Sequence, residues 1–240
     1  MQSYEAYLKN VAKVCANTSS FYFRILRATY NKAVEKGFIP APQQNPFKNV
    51  YTGIAKTKKR AIPTDSISSI KQLNSTQKLT LQQELARDTF LMCFYLRGIS
   101  FIDLAHLRKS DLKDGYISYT RSKTGQRLSI RWEKDMQEIV DKYQTQTSSP
   151  YLFPFLADSN TNCKNGTIQD KRQDELRLYH NAESRITYHL KKLGAKMGIQ
   201  GKLTLYVARH SWATAARDKN ISISVICEAL GHDSETTTQI

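Results

Sequence analysis

The sequence predicts a mainly α-helical protein with one small antiparallel β-hairpin, arranged as two units. Apolar residues recur at helical spacing through most of the chain. One stretch, Gly115 to Trp132, switches to period two. A proline-rich segment, followed by a basic segment poor in large apolar residues, divides the chain near residue 60.

Taken in order, residues 1–14 read as the end of a helix. "SSFYFRILRATYNKAVEKGF" places Tyr22, Leu26, Thr29 and Ala33 on one helical face, and Gly37 stands where a helix stops. Tyr22, Phe23 and Tyr30 are expected in the core. "FIPAPQQNPFKNV" ends this unit, and "TGIAKTKKRAIPTD" reads as a linker closed by Pro63. The second unit holds "LTLQQELARDTFLMCFYLRG", which opens on a Thr80/Gln83 capping box. It is apolar on nearly every side from Phe90 to Leu96, as a buried central helix must be. Ile117, Tyr119 and Arg121 alternate with Tyr116, Ser118 and Thr120, and Leu128, Ile130 and Trp132 with Ser129 and Arg131. This is a hairpin with Lys123 at its turn. "EKDMQEIVDKYQ" is an amphipathic helix, "SPYLFPFL" a short extended piece, and "ADSNTNCKNGTIQDKRQDE" a polar loop. "ESRITYHLKKLGAKMG" is helical again, with Trp212 a core anchor in the helix after it.

Composition narrows the function. Net charge is +15. Residues 1–60 carry eleven Lys and Arg against two acids, a net of +9. A polyanion is the expected partner, because basic side chains that neutralise phosphates release counterions. No apolar run approaches the ~18 residues that span a bilayer, and no secretion signal opens the chain. The reading is therefore soluble and cytoplasmic, with no membrane partner. Cys15, Cys93, Cys163 and Cys227 form no CxxC pair, which argues against a zinc site or a disulfide framework.

The closing stretch, "LTLYVARHSWATAARDKNISISVICEALGHDSETTTQI", concentrates chemistry. Thr204 is a plausible N-cap, which puts Tyr206 and Arg209 on one face of the first turns. A helix N-terminus and a guanidinium fork both suit a phosphate. Gly231 stops the next helix, and His232 lies just beyond it.

The strings "ARHSWAT", "ALGH" and "TTTQI" resemble the catalytic domain of tyrosine recombinases, the phage-integrase family, and within it the integrases of mobile elements in Bacteroides-type bacteria. The resemblance implies a partial helical core-binding (SAM-like) domain over 1–52, a basic linker over 53–63 and the catalytic domain over 64–240. It implies a site-specific DNA recombinase that cleaves and rejoins DNA through a 3′-phosphotyrosine to integrate or excise a mobile element. The partners implied are double-stranded DNA and, in the full protein, a synaptic tetramer of like chains near the bacterial nucleoid. No metal and no cofactor are implied.

Residue by residue, Arg97 and Arg209 match the two catalytic arginines that clamp the scissile phosphate. Lys123 matches the hairpin lysine that protonates the departing 5′-oxygen. His232 matches the histidine of the Leu-Gly-His motif, Asp103 an acidic supporting position, and His210 the histidine beside the second arginine. Tyr206 stands where the family often has histidine; a phenol bonds phosphate but is a poor general base near neutrality. Arg24, Arg27, Lys56, Lys58, Lys59, Arg60, Arg121 and Arg127 are expected to touch the DNA. The family's nucleophilic tyrosine ends strings of the form TTxxY, which here falls at position 241, one past Ile240. The chain is accordingly expected to be a fragment that binds DNA without cleaving it. A DNA-binding protein without chemistry and a type IB topoisomerase are the rival readings.

Overall fold

The computed structural model describes residues 1–55, 60–73, 77–144, 149–156 and 168–238. The chain divides into two compact units, Met1–Lys58 and Lys59–Ile240. Lys56, Lys58, Lys59 and Cys163 lie outside the described residues.

In the first unit, α1 (Gln2–Asn10) packs on α2 (Ala16–Glu35). Leu8, Phe23, Phe47 and Val50 form its core, with Val14 and Tyr30 against it. Tyr4 meets Phe23 edge-on at 5.7 Å and Tyr30 meets Phe47 at 5.6 Å. The segment after Val50 is tied to α2 by polar bonds. Ser20 donates to the Gly53 carbonyl at 2.6 Å, and the Asn17 amide exchanges bonds with the backbone of Ala55 at 3.0 and 2.7 Å. The expected inward face of α2 is corrected here. Tyr22 and Leu26 are exposed, whereas Ser19, Ser20 and Phe23 are buried. The small serines let the returning chain approach the helix closely, which the larger Tyr22 and Leu26 would prevent.

In the second unit, α3 (Thr64–Lys71) precedes the central α4 (Leu81–Tyr95). The capping box that opens α4 is made in both directions: the Gln83 amide donates to Thr80 Oγ1 at 3.3 Å, and the Thr80 amide to Gln83 Oε1 at 3.0 Å. Residues from Ala86 to Cys93 are buried, including Arg87 and Asp88. Arg87 bonds Asp88 through Nε at 2.8 Å and through a terminal nitrogen at 2.6 Å. Asp88 also accepts from Lys142 at 3.1 Å and the Tyr143 hydroxyl at 2.9 Å. That network joins α4 to α6 (Lys134–Gln144). Burial and the adjacent Asp88 together push the Tyr143 phenol well above its ordinary range.

After α4 come α5 (Phe101–His106) and a three-stranded antiparallel sheet, β1 (Leu112–Lys113), β2 (Tyr116–Thr120) and β3 (Arg127–Arg131), in the order β1-β2-β3. Ile117 pairs with Ile130 and Tyr119 with Leu128, so the alternation read from the sequence is the register that packs on the core. Strand β1 is too short to carry a period and was not foreseen.

The helix α7 spans Ile168–Lys196, reaching well into the stretch read as a polar loop. Leu178, Ala182, Ile186, Leu190 and Leu193 form one inward stripe, and the described part of the polar run makes up the mostly exposed first turns. Then follow α8 (Leu205–Asp218), α9 (Ile223–Ala229) and the short α10 (Glu235–Thr238). Trp212 is half-buried against the satellite cluster of Ala213, Ala216, Ile226 and Leu230.

Candidate active site

The second unit carries an open cavity of about 600 Å³. Lys123, Tyr206, Arg209, His210 and His232 all line it, and so does Arg121. Four of the five side chains matched to catalytic positions therefore share one cavity. Arg97 is not among its lining residues. It sits half-buried at the end of α4 with φ +56°.

Gly98, next to it, shapes the cavity floor. It is left-handed, with φ +76°, and a Cβ there would lie 2.5 Å from Arg209 Cγ. The Gly98 carbonyl accepts from an Arg209 terminal nitrogen at 2.7 Å. The other terminal nitrogen of Arg209 donates to the Leu230 carbonyl at 2.6 Å and contacts His232 Nε2 at 2.8 Å. Arg121 donates to the carbonyl of the next residue, Gly231, as does Thr124 at 3.3 Å. The Leu230–Gly231 turn thus anchors both arginines. Gly231 has φ +64°, and a Cβ on it would crowd Arg121 Cδ at 3.1 Å.

Arg121 and Arg209 are each only 8% exposed, and among the described residues neither forms an ion pair with a carboxylate. Burial, and then the neighbouring Arg121, lower Arg209 to about 10, so it stays charged near neutrality. A buried cation without a counter-ion is costly unless an anion completes the site. Lys123 adds an exposed ammonium from the hairpin turn; Glu183 and Asp233 also line the cavity.

The turn that presents Lys123 is held through Asp103. This buried carboxylate accepts from the Ser122 amide at 2.9 Å and the Ser122 hydroxyl at 2.5 Å, while its other oxygen accepts from Ser100 at 2.5 Å. Tyr206 is 57% exposed at the cavity mouth, and its ring meets that of His210 edge-on at 4.6 Å. Burial, with Arg60 and Arg209 nearby, lowers the His210 pKa. His232 is lowered to about 4, by burial first and then by Arg209, Arg121 and Lys123. Thr204 precedes α8 but makes no side-chain capping bond.

The remaining predicted DNA contacts are spread out. Arg24 is exposed on α2, and Arg27 is half-buried, donating to Thr52 Oγ1 at 3.4 Å. Arg60 is exposed near His210, and Arg127 lines a separate polar cavity with Asp103 and His106. Sequence reasoning placed Arg121 only among DNA contacts. The available signal was its place in the inward series Ile117, Tyr119, Arg121. An arginine on a core face needs a defined partner there. Gly98, Ser122, Thr124 and Thr238 were not singled out at all. Among the described residues, no group of His, Cys, Asp and Glu is placed to hold a metal, and no helix is long and apolar enough to cross a membrane.

The sequence model described as "Phage integrase family" matches residues 64–240, and that of the "Phage integrase SAM-like domain" matches residues 1–52. The chain belongs to the phage integrase family. Among its relatives, the tyrosine recombinase XerA of Pyrococcus furiosus is 26% identical over 192 residues, covering 78% of this chain and 58% of the relative. The chain thus spans under two thirds of that relative's length. The fold is similar to that of the XerH site-specific recombinase bound to palindromic difH substrate in a post-cleavage complex. The TM-score there is 0.70 at 13% identity, covering 99% of this chain and 67% of the other. It is also similar to a lambda integrase dimer bound to a COC′ core site, with a TM-score of 0.62 at 17% identity, covering 98% of this chain and 78% of the other. Both likenesses establish the architecture of this phage-integrase chain.

Proposed function

We propose that the cavity holds a DNA phosphodiester, and that the chain supplies the DNA-binding and phosphate-holding machinery of a site-specific recombinase. The observation that carries this reading is the pair Arg121 and Arg209, two buried guanidiniums that pair with no carboxylate among the described residues, in a cavity open to solvent. Arg121 joins Arg209 at the phosphate beside the clamp role that the resemblance gives Arg97, since both Arg121 and Arg209 hang from the Leu230–Gly231 turn. Both retain unused N–H groups for the non-bridging oxygens.

In the cleavage step that the resemblance implies, a tyrosine phenol releases its proton to solvent as its oxygen attacks the phosphorus. The bond to the 5′-oxygen breaks, and that oxygen takes a proton from Lys123. The charge gathered on the phosphoryl oxygens faces Arg121 and Arg209, which are preorganised by backbone carbonyls and need little rearrangement. Asp103 fixes the Lys123 turn through Ser122. Assembly into a synaptic tetramer on DNA, and integration or excision of a mobile element, complete the proposal for the whole protein.

Duplex-DNA binding by the 240-residue chain across a salt series tests the core of it. Affinity should fall linearly on a log–log plot. Arg121→Ala and Arg209→Ala should each weaken binding and reduce the slope by about 1. Equal affinity for an uncharged polymer, or binding indifferent to salt, would overturn it.

A further inference from the structure

The contacts of His232 define its proton. A guanidinium can only donate, so the 2.8 Å contact from Arg209 requires a lone pair on His232 Nε2. The ring is therefore neutral with its proton on Nδ1. Nδ1–H then donates to Thr238 Oγ1 at 2.8 Å. Thr238 is 1% exposed at the end of α10, in the segment that leads to position 241. In this arrangement His232 cannot donate to a phosphate, because its Nε2 is engaged in holding Arg209.

A hydroxyl differs from the other groups around this ring in being both donor and acceptor. If the Nδ1 proton is released to solvent and Nε2 takes one up, the ring charge is unchanged. Thr238 then donates its O–H to Nδ1, and Nε2–H donates to a phosphate oxygen that the unused N–H groups of Arg209 also face. Both tautomers are satisfied with no movement of α10. Valine has the shape of threonine but supports neither state.

We propose that Thr238 is a positioning residue that holds the His232 ring through Nδ1 in both tautomers, the Nδ1–H form that Arg209 selects in the free protein and the Nε2–H form that donates to a phosphate. The second half rests on the phosphodiester reading above; the first half does not.

The test is long-range ¹H–¹⁵N correlation of the imidazoles in the ¹⁵N-histidine-labelled 240-residue chain near pH 7, free and with inorganic phosphate or duplex DNA. The free protein should show His232 protonated on Nδ1. Either phosphate-bearing probe should move the proton to Nε2. Thr238→Val should keep the Nδ1–H tautomer in the free protein, because Arg209 selects it, but should free the ring, broadening the His232 signals and abolishing the shift of the proton to Nε2 with either probe; Thr238→Ser should restore both. The other four histidines, unchanged in each variant, report that the fold is intact. A free protein protonated on Nε2, or a Thr238→Val variant whose His232 signals and response to the probes match wild type, would overturn the role of Thr238. Salt-dependent DNA binding with no change of tautomer would overturn the switch and leave the phosphodiester reading standing. No binding of either probe would sink that reading and leave the hold of Thr238 on the ring to be judged on the free protein.

Discussion

Replacing Gly98 with alanine challenges the site at its tightest point. The new Cβ would lie 2.5 Å from Arg209 Cγ and 2.7 Å from Arg209 Cα, and the second of these is backbone. The residue must also hold φ +76°, a left-handed conformation costing an L-residue roughly 1–2 kcal/mol. Forcing a methyl group into a packed contact adds about 1–3 kcal/mol. The expected loss is about 2–5 kcal/mol, a fall in Tm of roughly 4–20 °C at ~2–4 °C per kcal/mol. Gly115 separates the two causes. It has the same φ of +76° and nothing within 4 Å of a built Cβ. Gly115→Ala should therefore show only the backbone cost, about 1–2 kcal/mol. Thermal melts followed by circular dichroism measure the difference. DNA titrations should show Gly98→Ala binding as weakly as Arg209→Ala while Gly115→Ala binds like wild type. Equal melting losses with unchanged DNA affinity in both variants would refute the claim that Gly98 exists to admit Arg209.

Further outcomes follow from the same contacts. His232 has a folded pKa of about 4 against an unfolded value near ~6.5, so the unfolded chain binds the extra proton between those values. Stability due to His232 is complete above ~6.5 and is lost as pH falls toward 4; urea midpoints should show that slope reduced in His232→Gln. Asp88→Ala strands Arg87 in the core without its main partner and should cost about 3–5 kcal/mol by urea denaturation, with secondary structure retained before the transition. Asp103→Ala removes both bonds to Ser122, so amide exchange at Ser122 and Lys123 should accelerate while the Ile117–Ile130 pair stays protected.

Much of the architecture was legible because it is local. The Thr80–Gln83 box needs only side chains three residues apart, and it forms as read. The hairpin declared itself through alternation, and its buried residues are those the alternation picked. The missed elements are those whose signal is weak by nature. The first turns of α7 are polar because they are solvated, which looks the same in a string as a loop. The face of α2 was misread because Ser20 and Asn17, not Tyr22 and Leu26, meet the returning chain.

The sequence by itself determined most of the helices and the hairpin, since periodicity acts over a few residues, and its resemblance to the family singled out Lys123, Tyr206, Arg209 and His232. Only the tertiary structure decided which arginine stands beside Arg209. Arg97 precedes a glycine that turns the chain to make room for Arg209, and it is not among the residues that line the cavity. Arg121 reaches the cavity because Gly231, 110 positions away, accepts its hydrogen bond. A contact over that separation depends on the packing of the whole unit, and no local pattern encodes it.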